Sequence, residues 1–166
     1  MDTKFQAFLH DIAGKSVAVI GMGVSNTPLI RLLLDAGAHV AIRDRKDRAQ
    51  LGKTADLFEQ SGAQLILGET YLDDMTEEII FKTPGMRPDV PQLVDACERG
   101  SQITSEMEVF FEVCPAKTIG ITGSDGKTTT TTIIYELLRA AGHTCYVGGN
   151  IGTPLLDQVS KMKESD

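Results

Sequence analysis

The sequence predicts an α/β fold with a mostly parallel sheet, laid out in two successive units. Three observations carry this reading. Short runs rich in β-branched residues, such as Ser16–Ile20 (SVAVI), alternate with segments of helical period. The helical segments close at glycines, Gly37, Gly62 and Gly100 among them. Two of the apolar runs feed glycine-containing loops that open helices, as parallel α/β sheets do where they hold anions.

The elements follow in order. After Ser16, residues 17–20 are uniformly apolar, which suits a strand covered on both faces. NTPLIRLLLDAGA places Leu29, Leu32 and Leu33 at helical spacing, with Pro28 near the first turn. HVAIRD (39–44) is a second strand, RAQLGKTADLFEQSG one helix ending at Gly62, and AQLILG a third strand. EEIIFKTPG (77–85) is a fourth strand that stops at a Pro-Gly turn. VPQLVDACERG is a helix, SQIT a short strand and EMEVFFEV a short helix before Pro115. A second alternation starts with TIGIT (118–122). It continues through a long helix from Lys127 to about Ala141, a short strand in TCYVGG and an amphipathic PLLDQVSKM. The boundary falls within about residues 105–117, giving units of 1–106 and 107–166.

Composition narrows the classes. At 166 residues the chain holds one domain, or one and part of another, and 42% hydrophobic residues suffice for a core. A net charge of -7 argues against a general nucleic-acid binder, so an anionic ligand needs local donors. Cys97, Cys114 and Cys145 form no C-x-x-C pair, and their odd number suits a reducing compartment. No apolar run approaches the roughly 20 residues of a membrane span, and the amino end lacks a signal-peptide pattern. The expected location is cytoplasmic, with no membrane partner. His10, His39 and His143 read as structural, the last at a helix end.

Two loops carry chemistry. GMGVSN gives G-x-G-x-x-N between a strand and a helix. In the dinucleotide fingerprint the first glycine makes the turn and the second, here Gly23, lets backbone approach a diphosphate. The third position is Asn26, and Asp44 ends the next strand, where such folds place a ribose-binding acid. The unit is thus Rossmann-like. The loop alone also fits a plain tight turn, and a nicotinamide-linked oxidoreductase domain remains an alternative. The second loop, Thr122–Thr128, reads T-G-S-D-G-K-T, with Ile121 where a P-loop would have its first glycine. Gly123 and Gly126 free the backbone to form an anion nest, Lys127 supplies a cation, and the Thr128 hydroxyl can hold Mg2+ between phosphates. The bland reading, a glycine turn with a solvated lysine, leaves this crowding unexplained. A non-catalytic nucleotide-binding module is a third class.

The phosphate loop TGSDGKTTT followed by YVGGNIGTPLL resembles the Mur ligase family. GMGVSN, RD at Arg43–Asp44, TPG at Thr83–Gly85 and SEMEVFF agree with that family in order and spacing, across essentially the whole chain. The resemblance implies an ATP-dependent amide ligase of peptidoglycan precursor synthesis. Its substrates would be UDP-N-acetylmuramoyl-L-alanine and D-glutamate, joined through an acyl phosphate. It implies that Gly123, Ser124, Asp125, Gly126, Lys127, Thr128 and Thr129 hold ATP, with Lys127 catalytic and Thr128 on the metal. Gly23, Val24, Ser25 and Asn26 would face the UDP diphosphate, Asp44 and Arg45 the uridine, and Gly85 the nucleotide. Asn150 would reach between the two sites. By the same resemblance the chain is the amino-terminal part of such an enzyme. Its P-loop-type unit would be incomplete, and alone it would not ligate. A sheet cut partway leaves an unpaired edge, from which a homodimer, or disorder after about Gly149, is expected.

Overall fold

The computed structural model describes residues 3–23, 26–149 and 153–166. Helix α1 (Lys4–Ile12) leads into strand β1 (Ser16–Ile20), then α2 (Asn26–Asp35), β2 (His39–Asp44), α3 (Arg48–Leu51), α4 (Lys53–Gln60) and β3 (Gln64–Leu67). After a loop come β4 (Ile79–Phe81), α5 (Pro91–Glu98), β5 (Gln102–Thr104), α6 (Glu106–Val113) and α7 (Lys127–Ala140). A 3-10 helix, Leu156–Lys161, follows. The five strands are all parallel, in the order β3-β2-β1-β4-β5. The α/β class and parallel sheet read from the sequence are present.

β1 lies at the centre, which is why its residues are apolar on both sides. Val17 and Val19 face a cluster with Leu29, Leu33, Phe58, Phe81 and Phe110. Ala18 and Ile20 face the opposite cluster with Met75, Ile80, Leu93 and Ala96. Alternation across the pleat assigns each neighbour to one layer. The strand order reverses between β1 and β4, so the loops leaving these two strands flank a crevice at the carboxyl edge of the sheet.

The connection from β3 to β4 has no helix. A buried guanidinium holds it instead. Arg43 Nε donates to Glu77 Oε1 at 2.8 Å, and Nη1 donates to the carbonyls of Tyr71 and Asp73 at 3.0 and 2.9 Å. Nη2 donates to Asp74 O at 3.4 Å. Loop carbonyls that a helix would have satisfied internally thus find a charged donor.

The structure departs from the sequence reading in four places. The helix expected over residues 48–62 is broken at Gly52, whose φ of 59° is left-handed and interrupts the ladder between α3 and α4. α1 was not anticipated; Thr3 caps it by accepting from Gln6 N, and Phe5 and Ile12 are buried beneath it. The strands expected at 118–122 and 144–149 do not form, since among the described residues no neighbouring strand supplies a ladder. Finally, residues 153–162 are not a loose end. Leu155, Leu156, Val159 and Met162 are buried in the first core cluster beside α6. Among the described residues no helix is long and apolar enough to cross a membrane.

Candidate functional site

The crevice is built around Gly21, Gly23 and Thr83. Gly21 has φ 86°, and a Cβ there would lie 3.4 Å from Thr83 Cγ2, so the loops after β1 and β4 touch at this point. Gly23 is exposed, and nothing lies within 4 Å of where its Cβ would be. The backbone is therefore open to a ligand there. Asn26, standing for the third glycine, is buried. Its Nδ2 donates to the carbonyls of Ile20 and Gly21, each at 2.9 Å. The amide closes the end of β1, which accounts for the departure from the glycine pattern. Gly85 is exposed in the turn closed by Met86 N donating to Thr83 O at 3.0 Å. Val24 and Ser25 lie outside the described residues.

Asp44 is placed at the end of β2 as expected, but its carboxylate is engaged. Oδ2 accepts from Met22 N at 2.7 Å and Oδ1 from Lys46 N at 2.9 Å. It joins the glycine loop to the loop after β2, and Arg45 beside it is exposed. Asn26 and Asp44 thus form the walls of the crevice through bonds to backbone. A cleft of about 610 Å³ opens elsewhere, against β2 and β3; its buried charges, Arg43 and Glu77, are already paired.

The phosphate loop has the conformation its glycines allow. Gly123 has φ 146° and Gly126, the N-cap of α7, has φ 74°. The N–H groups of Ser124, Asp125, Gly126 and Lys127 have no acceptor among the described residues. These donors gather where the helix dipole is positive. Lys127 Nζ is folded onto the loop, donating to Gly123 O at 2.5 Å and Ser124 O at 3.1 Å. The threonines divide by role. Thr131 and Thr132 donate their hydroxyls to the carbonyls of Lys127 and Thr128, at 2.8 and 2.9 Å. Thr128 and Thr129 are exposed and make no such bond among the described residues. The donor set, with its free amides, cation and exposed hydroxyl, fits a magnesium-bound polyphosphate. No cluster of three or more His, Cys, Asp or Glu side chains suited to a metal occurs among the described residues. Asn150 lies outside them.

Two further residues escaped the sequence reading. Arg43 figures in the sequence only within the RD pair that ends β2, with Ile42 before it and Asp44 after it, and nothing local names Glu77, 34 residues on, as its partner. Glu106 is partly buried at the start of α6, and its burial pushes the carboxyl above the usual range.

The fold and loops define a class: an α/β protein carrying a phosphate-loop sequence beside a Rossmann-like sheet. Residues 121–165 match the Mur ligase middle domain. A UDP-N-acetylmuramoylalanine--D-glutamate ligase of Clostridium botulinum (strain Okra / Type B1) is 53% identical over 165 residues, covering 99% of this chain. One from Acetivibrio thermocellus is 48% identical over 167 residues, covering all of it. The chain spans 36% of the length of each of these relatives. A murein peptide ligase, mpl, from Psychrobacter arcticus 273-4 superposes with a TM-score of 0.50 over 78% of this chain and 27% of that one. At 22% identity the likeness is one of fold. The chain belongs to the Mur ligase family.

Proposed function

We propose that the chain is the nucleotide-handling part of an ATP-dependent amide ligase of peptidoglycan precursor synthesis. The full-length enzyme would add D-glutamate to UDP-N-acetylmuramoyl-L-alanine in the cytoplasm. The observation that carries this is the conjunction of two facts: four successive loop amides, Ser124 to Lys127, with no acceptor among the described residues, and identity near one half to ligases of that name along the whole chain. In this reading residues 1–106 form the UDP-substrate unit and residues 107–166 begin the ATP unit.

Gly123 to Thr129 hold the phosphates of ATP, with Lys127 offsetting the charge that builds up when a carboxylate meets a phosphoryl group. The Thr128 hydroxyl is the protein's ligand to Mg2+. The bound nucleotide supplies the phosphoryl group that activates the substrate carboxylate toward the incoming amine. Gly23, Val24, Ser25, Arg45, Gly85 and Asn150 meet the UDP substrate, while Asn26 and Asp44 shape its crevice. The homodimer expected through a sheet edge finds no strand in residues 107–166 to supply that edge among the described residues; the apolar surface a second copy would cover is instead Ile133 and Leu137, exposed on α7.

The test is calorimetry of this chain with UDP, MgATP and NAD, with and without Lys127→Ala. UDP and MgATP should bind and NAD should not, and the substitution should weaken MgATP alone. Binding of NAD without UDP would overturn the reading in favour of a nicotinamide enzyme. MgATP affinity unaffected by Lys127→Ala would remove the phosphate loop from it.

A further inference from the structure

Outside the two loops, one side chain ties distant parts of the chain together. Glu106 opens α6 directly after β5, so it lies at the carboxyl edge of the sheet, the edge that also carries Gly21–Gly23 and Thr83–Gly85. Its Oε1 accepts from the backbone N–H groups of Leu155 and Leu156, at 3.1 and 2.7 Å. These amides enter the 3-10 helix, which its own N-cap residue leaves without a side-chain cap. Unpaired, two partly buried donors would be costly.

The same stretch is gripped from its other side. A Cβ at Gly148 would meet Leu155 Cγ at 2.4 Å and Thr153 O at 2.7 Å, so the chain closes tightly only because residue 148 has no side chain. Leu155, Leu156, Val159 and Met162 then pack with Phe5, Val109, Phe110 and Val113. That burial attracts the segment but has little directionality. A carboxylate oxygen shared by two successive amides fixes its register.

We propose that Glu106 is a positioning residue. It registers residues 155–156, and with them the 3-10 helix that follows the phosphate-loop helix in the chain, against the start of α6 at the carboxyl edge of the sheet. The proposal stands apart from the ligase reading, because it depends on no particular ligand.

Residue-resolved amide exchange on this chain tests it, with Glu106→Ala, Glu106→Gln and Glu106→Asp compared. The Ala variant should speed exchange at Leu155 and Leu156 about tenfold or more, leaving Val19 and Ile42 unchanged. Gln keeps the acceptor at the same reach and should restore protection to within about threefold. Asp keeps the charge but is one methylene short, and should resemble Ala. Unchanged exchange in the Ala variant overturns the proposal, as does a Gln variant as fast as Ala or an Asp variant as protected as wild type. Acceleration shared by Val19 and Ile42 overturns it too, since Glu106 would then act on global stability.

Discussion

The loop that replaces a helix between β3 and β4 stands or falls with the Arg43–Glu77 pair. The two side chains are 4% and 9% exposed, and Glu77 is the only carboxylate bonded to that guanidinium among the described residues. Glu77→Ala leaves a buried cation without its counter-charge, a change that commonly costs about 3–5 kcal/mol. Here the guanidinium keeps the carbonyls of Tyr71, Asp73 and Asp74, so the lower end, about 3 kcal/mol, applies. Glu77 also accepts from Thr76 N at 3.0 Å, and that bond goes as well. With a urea slope of about 2 kcal/mol/M, the midpoint should fall by about 1.5 M at unchanged slope. Glu77→Gln retains an acceptor and should fall by about half as much. Replacing both partners by Met should not restore wild-type stability, because the three loop carbonyls lose their donor. A Glu77→Ala midpoint within about 0.3 M of wild type, or full recovery in the double variant, would refute the clamp.

Three further outcomes are open to measurement. Gly148→Ala drives a Cβ into Leu155 Cγ and a backbone oxygen, and should lower stability by about 1–3 kcal/mol in urea unfolding. Glu106 and Glu78 should titrate stability in opposite senses. Burial raises the Glu106 carboxyl, so its contribution is full below about pH 4.3 and is lost as pH rises through the folded value. The amides of Leu156 and Leu155 pull the other way, and the nearby charge of Asp157 adds to the rise. The Ser16 N–H and hydroxyl lower Glu78, whose contribution is present above about pH 4.3 and is lost on acidification. Melting temperatures of Glu106→Gln and Glu78→Gln relative to wild type, from pH 3.5 to 7, should therefore diverge, and parallel profiles would contradict both assignments. Lastly, Ile133 and Leu137 are 54% and 65% exposed one turn apart on α7. If that face self-associates, changing both to Lys should shift light-scattering mass from dimer to monomer.

What the sequence revealed was mainly what is local or doubly buried. SVAVI and HVAIRD read as strands because burial on both faces makes residues 17–20 and 40–42 continuous apolar runs. The phosphate loop was legible because its glycines, lysine and helix start lie within seven residues. Long-range chemistry was not. Asp44 reads as a ligand acid, yet its oxygens are taken by Met22 N, 22 residues back, and Lys46 N. Arg43 takes its meaning from Glu77, 34 residues on, which no local pattern announces. TIGIT has strand composition, but composition cannot provide a partner, and Ile119 is left 61% exposed.

The resting loop also implies how an anion must enter it. A trans peptide is planar, with its C=O and N–H pointing in opposite directions. Lys127 draws the carbonyls of Gly123 and Ser124 to one side, and these belong to the same peptide units as the N–H groups of Ser124 and Asp125. Those donors therefore face away from the ammonium. A phosphate chain cannot be met by both at once until Nζ leaves the carbonyls and swings round the loop. Titration with pyrophosphate, followed by amide nitrogen shifts, should move Ser124 and Asp125 together with the Lys127 Nζ resonance at one apparent Kd. In Lys127→Met the two amides should still respond, at higher concentration, because the nest does not need the cation to form. Amides that stay fixed while Nζ alone responds would mean that the anion rests on the lysine and that the loop backbone is no cradle.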